Sequence, residues 1–163
     1  MITRAAGIVA LALAVDAAAD GIATGTVTYR AKVGVVKMQP RFAYLVRGPD
    51  VVDNSRIIRR LILSATDVGP KIAACKTMMC TGADLDSGMT VDLDAGPRLG
   101  YWVVLNGQRV QYSGTARPAT LSLTTDTPTR LAGKLVLDDS AAGGPQVDVE
   151  FDAQLLGEMK RAH

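Results

Sequence analysis

Histidine is nearly missing from this chain of 163 residues; the one copy is His163, the last residue. A side chain at a chain terminus is poorly held for proton transfer, so Ser-His-Asp triads, Cys-His pairs and histidine-based metal sites are all excluded. Glycine-rich phosphate loops are lacking as well. Adjacent carboxylates such as Asp138 and Asp139 point to opposite faces of an extended strand and sit among turn formers, which makes a carboxylate hydrolase the weakest of the readings. The chain is expected to be non-catalytic and to carry no cofactor.

Charge of one sign is lacking too. Eighteen basic and 16 acidic side chains leave a net charge of +2, too little to generate the field by which nucleic-acid binders and anionic membranes are engaged. Beyond the first residues no stretch approaches the roughly 18 consecutive apolar residues of a membrane helix, so no membrane insertion of the mature chain is expected.

The amino terminus supplies what the rest withholds. Arg4 precedes a small-residue apolar run from Ala5 to Val15, followed by Asp16-Ala17-Ala18-Ala19. A positive start, a hydrophobic segment too short to span a bilayer and an A-x-A-like end predict a secretory signal peptide over 1–19, cleaved before Asp20. A lipoprotein would need a cysteine directly after that point, whereas the first cysteine is Cys75. Residues 20–163 are therefore expected as one periplasmic or secreted domain, long enough to bury a core of its own.

Within that domain, period-two patterns dominate. From Pro145 to Leu156, Val147, Val149, Phe151, Ala153 and Leu155 alternate with polar residues, as in half-buried antiparallel sheet. Arg130 to Leu137 carries Leu131, Leu135 and Leu137 on one face, and the turn-rich 138–144 segment predicts a hairpin between the two. A second hairpin is predicted across Asn106-Gly107, a type I′ turn signal. A two-residue loop would set Leu105 opposite Gln108, Val103 opposite Val110 and Tyr101 opposite Tyr112, with Trp102 and Arg109 on the other face. Gly25 to Val36, Arg41 to Val46, Ile57 to Ser64, Met89 to Leu93 and Thr120 to Thr125 also read as strands.

One helix is predicted over 68–78, with Asp67 as cap and Pro70 in the first turn. Seven or eight short strands, little helix and no βαβ alternation predict an all-β, mainly antiparallel β-sandwich, with an up-and-down β-barrel as the alternative.

Cys75 and Cys80 are expected to form a disulfide in an exported protein. Residues five apart in an unbroken helix lie too far apart to be bridged, so the helix must stop near Thr77 or Met78. The competing reading joins Cys75, Met78, Met79 and Cys80 as soft donors for Cu(I), making the protein a periplasmic copper handler. Asp84, Asp86, Asp92 and Asp94 are candidate calcium ligands, although their spacing departs from an EF-hand loop. Arg41, Arg47, Arg56, Arg59 and Arg60 could meet an anionic ligand or simply form outward strand faces. Trp102 with Arg109, and Arg59 with Arg60, are the candidate ligand-binding residues; Trp102 suits a platform for a sugar or peptide. The expected function is that of a binding or structural module whose partner is a protein or small ligand in the periplasm.

Overall fold

A computed structural model describes residues 21–32 and 34–163; the predicted leader, its cleavage before Asp20, and Val33 lie outside the described residues. The chain is all-β and mainly antiparallel, as the alternation predicts. Its strands are β1 (Gly21–Ala31), β2 (Gly34–Met38), β3 (Phe42–Pro49), β4 (Ile57–Ser64) and β5 (Gly88–Leu93), then β6 (Leu99–Leu105), β7 (Val110–Ala116), β8 (Leu121–Asp126), β9 (Arg130–Asp138) and β10 (Gln146–Glu158). Two short helices, α1 (Gly69–Ala74) and α2 (Cys80–Ala83), lie between β4 and β5. No described helix is long and apolar enough to cross a membrane.

The strands form one hydrogen-bonded sheet in the order β7-β6-β5-β4-β3-β1-β10-β9-β8, with β2 attached to β1. The sheet curls into a half-barrel around a core to which every strand contributes, from Met38 of β2 to Leu135 of β9 and Ala116 of β7. The two arms thus share one interior, as the layers of a sandwich would, while the backbone ladder between them stays continuous. Bulges between Leu155 and Gly157 in β10 and between Leu123 and Thr125 in β8 bend the ladder where the sheet must turn.

Alternation translates directly into burial in β10, where Val147, Val149, Phe151 and Ala153 face inward. β4 has no such alternation, because both its faces are covered. Leu61 and Leu63 enter the inner core, whereas Ile58 and Ile62 enter a second cluster on the outer face with Ile72, Met78 and Leu85.

Three sequence expectations are corrected. The single strand over 25–36 is a hairpin: β1 and β2 pair with Ala31 opposite Gly34, so Val36 and Met38 turn inward and Val35 is left 60% exposed. The β6–β7 hairpin exists, but its loop has four residues, 106–109, with Leu105 opposite Val110, Val103 opposite Tyr112 and Tyr101 opposite Gly114. Asn106 and Gly107 take the positive φ values of 54° and 61° that the motif demands, yet Gln108 is drawn away from the ladder. Its N–H donates to the Asp86 carbonyl and its Nε2 to the Leu85 carbonyl. The register shift is two residues, so the side chains still in the ladder keep their predicted faces, while Gln108 and Arg109 leave it for the turn. Finally, the helix expected over 68–78 ends at Ala74, and Cys75 is already extended with ψ of 145°. Asp67 does serve the α1 start, accepting from the Gly69 N–H at 2.9 Å while also accepting from the Tyr44 hydroxyl.

Two polar contacts join the distant arms of the half-barrel. Arg59 of β4 bonds Asp94 and reaches Asp126 of β8. Tyr101 of β6 donates to the Asp139 carboxylate of the β9–β10 loop, with Tyr112 stacked beside Tyr101 and Tyr29 beyond it, at centroid separations of 6.2 and 6.1 Å. Burial, then the Asp139 carboxylate, push the Tyr101 phenol well above its ordinary value, and burial with Asp67 does the same at Tyr44. A raised phenol pKa favours folding fully below about pH 10 and progressively less as the pH climbs toward the folded value. Stability is therefore expected to fall above about pH 10, and denaturant titrations of Tyr101→Phe should show a shallower alkaline decline than those of the parent, Tyr44 accounting for what remains.

Candidate functional site

Period-two geometry sends even-numbered residues of β4, β5 and β6, and odd-numbered residues of β7, to the outer face. The register then aligns Thr90, Trp102 and Ser113 across three neighbouring strands, with Asp92 and Gly100 one step along. These residues floor a groove of about 490 Å³, a volume ordinary for a small-ligand cleft. Its walls come from elsewhere: Met79, Gly82 and Ala83 from the segment around α2, and Val51 from the β3–β4 loop.

Arg60 closes the inner end of the groove. Its Nε and Nη2 donate to Asp92 Oδ1 and Oδ2 at 2.6 and 2.8 Å, and its Nη1 donates to the Met78 carbonyl at 2.8 Å. The guanidinium is buried, with a bidentate carboxylate partner that cancels its charge. The groove is therefore polar at one end but carries no net charge. Trp102 is half-buried, and Gly82 lies over it: a Cβ on Gly82 would stand 3.4 Å from the Thr90 methyl and 3.6 Å from the indole ring. Thr90 and Ser113 offer hydroxyls on either side of the ring.

The sulfurs of Cys75 and Cys80 are at bonding distance, with the Cα atoms 5.6 Å apart. The early end of α1 makes this possible, since an extended Cys75 lets the chain double back. The bridged segment is further pinned from below, because Met78 and Met79 donate their N–H groups to the carbonyls of Arg161 and Ala162. So short a closed loop contributes about 2 kcal/mol through unfolded-state entropy. Reduction is expected to lower the melting temperature modestly without unfolding the domain, measurable by calorimetry with and without a thiol.

The structure separates several residues that the sequence had grouped. Arg59 and Arg60 leave β4 on opposite faces, and only Arg60 reaches the groove. Arg109 lies exposed in the four-residue turn, while Trp102 stands opposite Ser113. Arg41 lies over the Phe42 ring, Arg47 pairs with Glu158 and Arg56 with Asp53, so the arginines form no common anion site. Asp92 and Asp94 are taken by Arg60 and Arg59, and Asp84 follows α2; no group of three or more metal-ligating His, Cys, Asp or Glu side chains occurs among the described residues. Of the four proposed copper donors the two sulfurs of cysteine face one another, Met78 is wholly buried against Gly48, and Met79 alone is exposed. His163 rests by the Val51 carbonyl, at 3.1 Å.

Sequence reasoning named Trp102 and Arg60 among the candidate ligand-binding residues, and Asp92 and Met79 only as candidate metal ligands. Thr90, Ser113, Gly82 and Val51 it missed; a four-residue loop would have placed Ser113 opposite Trp102, but the cause of that loop lies in the 83–86 turn. Comparison of the chain with models of protein families, with characterised proteins and with solved structures gives no match.

Proposed function

We propose that this chain is an exported, non-catalytic binding protein whose ligand sits in the groove against Trp102. The observation that carries the reading is the convergence of the lone tryptophan, two hydroxyls and a charge-cancelled Arg60–Asp92 pair in one open cleft. Half-exposed tryptophan beside polar groups suits recognition of a flat apolar surface. The leader-like 1–19 segment and a cysteine pair at bonding distance both suit an oxidising compartment outside the cytoplasm. Binding is favoured over chemistry because Asp92, the carboxylate in the groove, is committed to Arg60, so the Thr90 and Ser113 hydroxyls have no free base beside them. It is favoured over copper handling because joining the cysteines withdraws both thiolates and Met78 is held in the core.

Native mass spectrometry of protein taken from the periplasm tests the reading. A co-purifying mass is expected on the parent and should be lost from Trp102→Ala, which costs only about 2 kcal/mol because the ring is half-buried. Equal retention of that mass by both proteins, or no bound mass on either, would overturn the assignment of the groove.

A further inference from the structure

The groove opens onto an edge strand. Ser113 and Gly114, which form its outer margin, belong to β7, and among the described residues β7 pairs with β6 alone. An edge strand presents a row of free N–H and C=O groups to any extended chain that approaches it. The two ends of this sheet are unequal in that respect. At the other edge β8 is bulged, and Arg59 ties Asp126 back to the body of the sheet. The β6–β7 ladder runs without a register break from Leu99–Ala116 to Leu105–Val110.

Charge also distinguishes the β7 edge. No residue from Val110 to Ala116 is ionisable at neutral pH, and the strand is bracketed by exposed Arg109 and Arg117. Arg98 lies against the same end as Arg117, its Nε and Nη2 donating to the Thr115 hydroxyl and carbonyl. None of the three arginines is ion-paired among the described residues. The Arg109 end is partly offset by Asp84 and Asp86 in the turn that holds Gln108, so positive charge is concentrated by Arg98 and Arg117.

We infer that the partner is an extended peptide with an uncharged, alternating core and acidic ends, added as a strand to β7 with one apolar side chain laid over Ser113 into the groove. This rests on the groove being the ligand site. Backbone pairing would supply affinity, and the cleft would choose the side chain. The small outward residue at 113 leaves the lateral path from the new strand to Trp102 open. Electrostatic complementarity at the arginine end would speed encounter and favour acidic over basic termini.

The probe is a blocked peptide of alternating threonine and leucine with two glutamates at each end, compared with the same core ended in lysines and with a version N-methylated at alternate amides. Trp102, the only tryptophan, reports the groove by its emission, and deuterium exchange of β7 amides reports the edge. The glutamate-ended peptide is expected to bind at least about tenfold more tightly than the lysine-ended one. It should slow exchange across β7 and shift Trp102 emission. Arg98→Ala with Arg117→Ala should remove most of the tenfold preference, and the N-methylated peptide should not bind. Equal affinities for the two charged forms, or binding that slows no β7 amide, would overturn the inference. Loss of the co-purifying mass in Trp102→Ala together with no peptide binding would sink this inference alone and leave the groove reading standing; β7 protection with unchanged Trp102 emission would count against both.

Discussion

Asp92→Ala is expected to destabilise the domain by about 3 kcal/mol, because it strands a buried guanidinium whose Nε and Nη2 lose their bidentate partner. Arg60 is 8% exposed at its side chain and Asp92 21%, so water can reach the carboxylate end but not relieve the cation. The value therefore lies toward the lower end of what breaking a buried pair costs. Replacing both partners, as Arg60→Met with Asp92→Leu, should recover most of that loss, since the desolvation of two charges is removed with their attraction. Urea titrations of Arg60→Met, Asp92→Leu and the double complete the cycle, with Asp92→Ala measured beside them. A double variant as unstable as Asp92→Ala would mean that Arg60 matters for its bond to the Met78 carbonyl rather than for its charge pair.

Gly25→Ala is expected to be at least as damaging. Gly25 holds φ at 128°, and a methyl group there would overlap the Asp148 carbonyl oxygen while standing 2.9 Å from the Val149 Cα. Both obstacles are backbone, so neither can swing aside, and β1 must part from β10 along the pairing that runs from Ile22–Asp152 to Thr28–Gln146. Strain and lost pairing together should cost about 3 kcal/mol or more. Gly34→Ala supplies the control. It has nearly the same φ, 129°, but nothing within 4 Å of its Cβ, so only the backbone strain of about 1–2 kcal/mol should appear. If thermal melts of the two variants agree, steric overlap with β10 is not the cause.

Those two sites also mark the limit of what residue patterns convey. β10 was legible because one of its faces meets solvent and the other the core, which writes alternation into the sequence. β4 gave a strand but no orientation, since Ile58 and Ile62 are buried on one side and Leu61 and Leu63 on the other. For the same reason Arg59 and Arg60 looked like one basic patch and proved to serve opposite faces. The β6–β7 hairpin was legible from Asn106-Gly107, but its register depended on carbonyls at 85 and 86 that local sequence cannot announce. Trp102 stood out by rarity. Its surroundings did not, because Thr90, Ser113 and Gly82 are common residues made neighbours by strand register and by the fold-back of the bridged segment.

β10 has one more consequence. It pairs with β9 and β1 along its first part and with β3, in parallel, along its last, so β9 and β8 join the rest of the sheet only through residues 146–158. β1 has β2 close at hand, but the pairing of its first half with β10 spans more than a hundred residues, and contacts so remote in sequence slow the search for the native state. The β8–β9 arm would thus stay unattached until nearly all of the chain had emerged. Under the export proposed above, such tardiness would suit a polypeptide that threads a membrane before it folds, with the closing strand as the clasp on its last-attached arm.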